Sequence, residues 1–179
     1  INDPLSLFYI WQGGLSFHGG LAGVALSVFI YSKRFKVNFL RLTDSITLAM
    51  PIGLGLVRIG NFLNGELYGK ATSGNWGFIF PTDPFGIPRH PSQLYEAFLE
   101  GIILFLILSF INKRTSKTGV ISASFLIFYG LIRFFIEFFR QPDAHIGYVA
   151  LEWMSMGQLL CLPMILVGFL LLKFSLKRL

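Results

Sequence analysis

Cysteine, histidine and charge are all scarce in this 179-residue sequence. There is one cysteine, Cys161, and it sits inside an apolar run. A lone thiol excludes an internal disulfide and a thiolate metal site, and Cys161 reads as a small core hydrophobe. The three histidines, His18, His90 and His145, lack metal-ligand spacing. Charged residues make up 13% of the chain and hydrophobic ones 54%. Soluble domains carry about 25% charged residues, so an ordinary soluble fold is excluded. No internal repeat, low-complexity tract or signal peptide stands out.

What is present is a set of five apolar segments, at about 15–31, 45–63, 95–111, 119–139 and 156–172. Each approaches the roughly 17–25 residues that a spanning helix needs. The expected fold class is all-α, a polytopic transmembrane helical bundle with about five spanning segments in one integral-membrane domain. Pro51, Gly53 and Gly55 are expected to loosen the second segment or to let another backbone approach it.

The loops orient these segments. Lys33, Arg34, Lys36 and Arg41 follow the first, Lys113, Arg114 and Lys117 the third, and Lys173, Lys177 and Arg178 the fifth. If the segments alternate, all three clusters share one side, with Asp44 the one acid near them. The positive-inside rule assigns that side to the cytoplasm. The net charge of +6 is therefore explained by topology, and nucleic-acid binding is not needed. The remaining basic residues, Arg58, Lys70, Arg89, Arg133 and Arg140, lie at the outer ends of segments or in the outer loops.

Polar chemistry gathers at that outer side. Arg58, Asn61, Asn64 and Glu66 follow directly on the apolar run 46–57. An arginine this close to hydrocarbon must face protein, water or an anion. Two amides and a carboxylate beside it favour a polar pocket over a snorkelling side chain. Tyr129, Arg133, Glu137 and Arg140 form a second polar stripe, spaced by four, four and three on an otherwise apolar helix. Glu96 and Glu100 share one helix face. Paired carboxylates suggest acid–base work, but burying both unpaired is prohibitive, so pairing with neighbouring arginines is favoured. Glu137 neutralises at most one of Arg58, Arg133 and Arg140. Unless Glu66, Glu96 and Glu100 supply the balance, the site is an anion receptor suited to phosphate. His18 stands between glycines that let substrate or backbone come near its imidazole. The loop 65–91 is rich in Gly, Pro and aromatics and reads either as an interfacial cap anchored by Trp76 or as a lid over a lipid entrance. Ser92 is a candidate N-cap for the third segment.

Four runs resemble one family. Arg58-x-Gly-Asn-Phe-x-Asn-x-Glu-x-x-Gly69 is similar to the signature of the bacterial prolipoprotein diacylglyceryl transferases. So are Ser16-Phe-His-Gly-Gly-Leu21, His90-Pro-Ser-Gln-Leu-Tyr-Glu96 and the stretch from Tyr129 to Asp143. The resemblance implies transfer of diacylglycerol from phosphatidylglycerol to the lipobox cysteine of a prolipoprotein, at the outer face of the bacterial inner membrane. It implies a thioether product, release of glycerol phosphate, and no metal or cofactor. His18, Arg58, Arg133 and Glu66 are the expected catalytic residues. Arg58, Asn61, Asn64, Tyr129, Arg133, Glu137 and Arg140 are expected to bind phosphatidylglycerol. One or more membrane helices precede this region in the family, so the sequence is expected to lack an N-terminal part. The alternatives are a non-catalytic protein that binds anionic phospholipid and a transporter. The apolar inner halves of the segments, such as 102–108, speak against transport.

Overall fold

The computed structural model describes residues 17–141, 148–150 and 153–177. The chain divides into two compact units, Ile1–Leu42 and Thr43–Leu179, and each is taken by itself.

In the first unit, helix α1 (Phe17–Phe35) ends with Lys33 and Arg34 in its last turn, where cations complement the helix dipole. Lys36 then adopts a left-handed backbone with φ of 53°. The Ser32 hydroxyl donates to the Val37 carbonyl at 2.8 Å and closes the turn. Asn38 caps helix α2 (Phe39–Leu63), its side-chain oxygen accepting from the Arg41 amide at 3.2 Å.

The second unit holds the rest of α2 and a continuous helical rod, Ser92–Arg114. That rod consists of α3 (Ser92–Glu96), a π-helical segment (Ala97–Ile103) and α4 (Leu104–Arg114). Helix α5 (Val120–Ile136) and helix α6 (Met156–Lys177) follow. A small antiparallel pair, β1 (Tyr148–Ala150) and β2 (Met154–Ser155), leads into α6. Ser155 and Gln158 form a capping box there. The Gln158 amide donates to the Ser155 hydroxyl at 3.2 Å, and the Ser155 amide donates to the Gln158 side-chain oxygen at 3.0 Å.

The regular structure of the described residues is thus helical apart from the short β1–β2 pair and isolated bridges, as the apolar segments imply. Among the described residues, α2, the Ser92–Arg114 rod and α6 are long and apolar enough to cross a membrane, and α5 is a shorter apolar helix. Most of their surface is apolar and outward-facing, as lipid requires; Leu56, Phe98, Ile102, Leu166 and Phe169 are all exposed.

Packing of the second unit depends on small residues. A Cβ on Gly101 would stand 2.9 Å from the Gly55 Cα, so α2 and the rod touch backbone to backbone. The glycine in α2 therefore permits close approach, as the sequence suggested. A Cβ on Gly168 would lie 2.8 Å from Ile127, and α5 and α6 close on each other there. Leu104, Leu108, Ile121 and Phe125 form the buried core between the rod and α5.

One end of this unit is tied by long-range polar contacts. Asp44 accepts from the Gly119 amide at 2.6 Å, the Ser122 amide at 2.8 Å and the Ser122 hydroxyl at 2.7 Å. An α2 carboxylate thereby caps the start of α5, where the helix dipole favours negative charge. The Lys117 ammonium donates to the Leu176 carbonyl at 2.7 Å and closes the end of α6.

Candidate functional site

At the other end of the unit, α2, the rod and α5 each contribute charge to one buried cluster. Arg58 comes from the last turns of α2, Glu96 and Glu100 from the rod, and Arg133 from the last turn of α5. Glu96 and Glu100 are fully buried, and Arg133 and Glu137 are each 8% exposed. One Glu96 carboxylate oxygen, Oε2, lies 2.7 Å from Arg58 Nε and 2.7 Å from Arg133 Nη1. Two arginines from separate helices thus converge on a single oxygen. Arg133 Nη1 also stands 3.3 Å from Glu100 Oε1, and its Nη2 stands 3.3 Å from Glu137 Oε2. Arg140 Nη1 approaches Glu137 Oε2 at 3.9 Å.

Three guanidinium groups therefore meet three carboxyl groups, and their formal charges cancel. Glu96 and Glu100 pair with neighbouring arginines, as the sequence favoured, so the condition for a simple anion receptor is not met. Isolated ions cost several kcal/mol each when taken out of water, so a charged site in this apolar setting requires such pairing. The pairing is incomplete in detail. Among the described residues, Glu96 Oε1, Glu100 Oε2 and Arg140 Nε are buried without a hydrogen-bond partner, and Glu137 Oε2 has ion-pair contacts alone. Arg58 makes its ion pairs through Nε alone; Nη1 and Nη2 enter none of those between described residues. Its side chain is 16% exposed.

Tyr129 lies one turn below Arg133 on α5 and packs against the hydrophobic core, its ring stacked on Phe125 at 5.2 Å. Asn61 is half-buried in the last turn of α2, and Asn64 and Glu66 are exposed in the turn that follows. Glu66 takes part in none of the ion pairs between described residues, so its expected place among the arginines is not where its side chain stands. Its backbone is what the fold uses. The Glu66 amide donates to the Asn61 carbonyl at 2.8 Å, and the Gln93 side-chain amide donates to the Glu66 carbonyl at 2.6 Å. His18 belongs to the first turn of α1, and its side chain lies outside the described residues.

The turn after α2 is held on several sides. Gly65 has φ of 69° and Leu67 φ of 55°. The Thr82 hydroxyl donates to the Gly65 carbonyl, and the Ser92 hydroxyl to the Leu67 carbonyl at 3.4 Å. Ser92 thus ties the turn and makes no side-chain cap on α3, contrary to the N-cap expectation. Beyond the turn, Gly69 and Lys70 thread between two other strands of chain. The Gly69 amide donates to the His90 carbonyl at 2.9 Å, and the Lys70 amide to the Phe139 carbonyl at 2.9 Å.

The cap over this end has its own clamp. Arg89 grips Asp83 with two hydrogen bonds, Nε to Oδ2 at 2.7 Å and Nη2 to Oδ1 at 3.0 Å. Its guanidinium lies 4.8 Å over the Tyr68 ring, which stacks on the buried Phe80. The Arg89 hydrogen bonds hold the Asp83 carboxyl below its ordinary range. Arg89 thus belongs to the cap, not to the arginine cluster.

Sequence reasoning missed Gln93 and left Glu96 and Glu100 outside the candidate set. The available signal for all three was their shared spacing on one helix face with Ser92-Gln93 at its start.

The fold and the cluster define a class: an integral-membrane helical protein with a buried arginine–glutamate site at one end of its helices. The family model described as prolipoprotein diacylglyceryl transferase matches residues 1–174. The chain belongs to that family. It is 51% identical over 178 residues to the phosphatidylglycerol–prolipoprotein diacylglyceryl transferase of Azotobacter vinelandii, covering 99% of this chain and 67% of the relative. It is 48% identical over 177 residues to the protein of that name from a Marinomonas species, covering 99% of this chain and 66% of the relative. For that of Ectopseudomonas mendocina the values are 50% over 178 residues, 99% and 67%. The chain thus spans about two thirds of the length of these curated relatives.

Proposed function

We propose that this chain carries the lipid-binding and transfer centre of a phosphatidylglycerol–prolipoprotein diacylglyceryl transferase. In this reading the thiol of a lipobox cysteine attacks the glycerol carbon that bears the phosphate. A carbon–sulfur bond forms, the carbon–oxygen bond to phosphate breaks, and glycerol 1-phosphate leaves with the electron pair. The observation that carries the reading is the convergence of Arg58 and Arg133 on one oxygen at 2.7 Å each. Two guanidinium groups around one oxygen are the arrangement that stabilises a departing phosphate.

The rest of the cluster fits a glycerol phosphodiester. Nη1 and Nη2 of Arg58 offer a planar fork to phosphate oxygens while Nε stays anchored on Glu96. Glu96 Oε1 and Glu100 Oε2, which accept no hydrogen bond among the described residues, are acceptors that match headgroup hydroxyls. An apolar groove of about 420 Å³ between α2 and the rod starts beside this cluster, at Ile59 and Leu94, and runs to Leu106. It offers room for an acyl chain of the same lipid. His18 is assigned the thiol proton, since a reference pKa near 6.5 suits a general base for a thiol near 8.5. Asn61, Asn64 and Glu66 orient the headgroup from the turn. In this reading the protein works in the bacterial plasma membrane as a single transferase domain, its site on the extracytoplasmic side, with the prolipoprotein lipobox peptide as second substrate.

The test is mass spectrometry of a lipobox peptide incubated with phosphatidylglycerol and the full-length protein. The expected product is the peptide plus one diacylglyceryl group, and its absence with folded protein rejects the reading. His18→Gln is expected to lower turnover by about 10²–10⁴-fold with lipid binding retained. That deficit should shrink as pH rises past the thiol pKa, because thiolate then forms unaided. A deficit that is indifferent to pH and comes with lost lipid binding removes His18 from the base role.

A further inference from the structure

The turn 64–67 carries Asn64 and Glu66, and backbone bonds from the Gly65 amide to the Phe62 carbonyl and from the Glu66 amide to the Asn61 carbonyl close its first part. Gly65 and Leu67 both have positive φ, 69° and 55°. Glycine accepts this region freely, whereas leucine, with a Cβ, adopts it only when the surroundings impose it. Leu67 lies beyond those backbone bonds, so contacts from outside the turn, the Ser92 hydroxyl among them, must fix it.

Gln93 is placed to do so. It is fully buried and donates from its side-chain amide to the Glu66 carbonyl at 2.6 Å, between the two positive-φ residues. The donor identity is set by the partner, since a carbonyl oxygen only accepts. The other amide atom, Gln93 Oε1, is buried with no hydrogen-bond partner among the described residues. A fully buried polar side chain that spends its one protein hydrogen bond on a turn is costly as packing and is explained by what it holds. Gln93, Glu96 and Glu100 follow at intervals of three and four along the rod, all fully buried. One face thus places the turn through Gln93 and the two arginines through Glu96 and Glu100. The distance between headgroup-orienting side chains and phosphate-gripping side chains is then set by a single rigid element.

We propose that Gln93 is a positioning residue that locks the Asn64–Glu66 turn in register with the Arg58–Arg133 pair. It acts through the Glu66 carbonyl and does not itself touch substrate. The inference rests on the transferase reading for its kinetic consequence, but its structural consequence is independent of that reading.

The experiment compares Gln93→Met and Gln93→Glu with the parent in the full-length protein. Methionine keeps the length of the side chain and removes the donor. Hydrogen exchange of the 64–68 amides should quicken by about tenfold or more in Gln93→Met, with 104–114 unchanged. The parent should transfer diacylglycerol, and kcat/KM for phosphatidylglycerol should fall about 10–100-fold in Gln93→Met per folded molecule. Gln93→Glu adds a signature that a general packing defect does not give. A protonated carboxyl can donate to the Glu66 carbonyl and an ionised one cannot. Its deficit relative to the parent should therefore shrink as pH falls, while that of Gln93→Met stays constant. If the methionine variant does not accumulate, the exchange and pH series on Gln93→Glu decide. Unchanged exchange at 64–68, or a Gln93→Glu deficit that does not vary with pH, overturns the inference. A parent without transfer activity but with exchange that responds to Gln93 overturns the transferase reading and leaves the latch standing.

Discussion

Replacing Gly69 by alanine adds one methyl group at the most crowded backbone crossing of the site. That Cβ would lie 2.6 Å from the Phe139 carbonyl oxygen, 2.7 Å from the His90 carbonyl oxygen and 2.7 Å from the His90 Cβ. Two of the three neighbours are backbone atoms, which cannot swing aside as a flexible side chain can. Ordinary contact begins near 3.4 Å, so the chain must part by roughly 0.8 Å on the Phe139 side. Phe139 directly precedes Arg140, and Gly69 pairs with Arg140 as an isolated bridge. The displacement is therefore delivered to Arg140 and its Glu137 partner. Overpacking of this kind costs about 1–3 kcal/mol of stability. A misplacement of about 1 Å costs on the order of 10²-fold in rate. Gly53→Ala is the control, since nothing lies within 4 Å of a Cβ there. Purified variants should be compared by thermal unfolding in detergent and by lipobox-peptide transfer per folded molecule. Gly69→Ala should lose about 100-fold in transfer while remaining folded, and Gly53→Ala should match the parent. Parental transfer by a folded Gly69→Ala protein would refute the link from this crossing to the site.

Arg133→Lys should lower transfer by at least tenfold, because one ammonium cannot serve Glu96 and Glu100 through one nitrogen and Glu137 through another. Near-parental transfer with reduced stability would make Arg133 a structural partner of the glutamates alone. The cap should be acid-sensitive through Asp83. Its carboxyl is held low by Arg89, so its contribution is complete above the unfolded carboxylate pKa of about 3.9 and is lost as pH falls through the lower folded value. Proteolysis of the 66–90 loop should accelerate only in that acid range, and Asp83→Asn should remove the pH dependence. Topology is checked with cysteines placed at Lys36 and Asn75 in intact cells. An impermeant thiol reagent should label the cysteine replacing Asn75 and spare that replacing Lys36, and the reverse result rejects the proposed side of the site.

The helices were legible because apolar runs of spanning length leave few alternatives. The stripe Tyr129, Arg133, Glu137, Arg140 was legible because four-residue spacing is a local property of one helix. Pairing of Glu96 and Glu100 with arginines was expected, but which partners meet across elements was not legible. Glu96 meets Arg133 across 37 positions, and Asp44 caps α5 across 75. No periodicity in the sequence records such pairings, since each partner satisfies its own helix equally well alone. The π-helical segment at Ala97–Ile103 was likewise hidden, because an apolar run of this kind reads as ordinary α-helix. Glu66 looked like a partner for Arg58 by proximity in sequence. The left-handed residues Gly65 and Leu67 turn the chain between them, and its carboxylate ends up exposed.

Under the proposed function, the neutrality of the cluster bears on how an anionic lipid would bind there. A bare arginine pair would attract phosphate strongly but would itself be costly to bury before the lipid arrives. Here Glu96 Oε2 already stands between Arg58 and Arg133, where a phosphate oxygen would otherwise sit. The carboxylate keeps both guanidinium groups aimed at one point in the absence of ligand, so little reorganisation is left for the reaction. It also sets a limit, because an incoming phosphate gains only what its oxygens win beyond that existing pairing. The part of Arg58 not engaged in ion pairs, Nη1 and Nη2, is where that surplus arises. Removing Glu96 and removing Arg58 are therefore different perturbations. The first takes away the oxygen that Arg58 and Arg133 share and leaves Arg133 on Glu100 and Glu137, whereas the second leaves Arg133 held by all three glutamates and takes away the open fork.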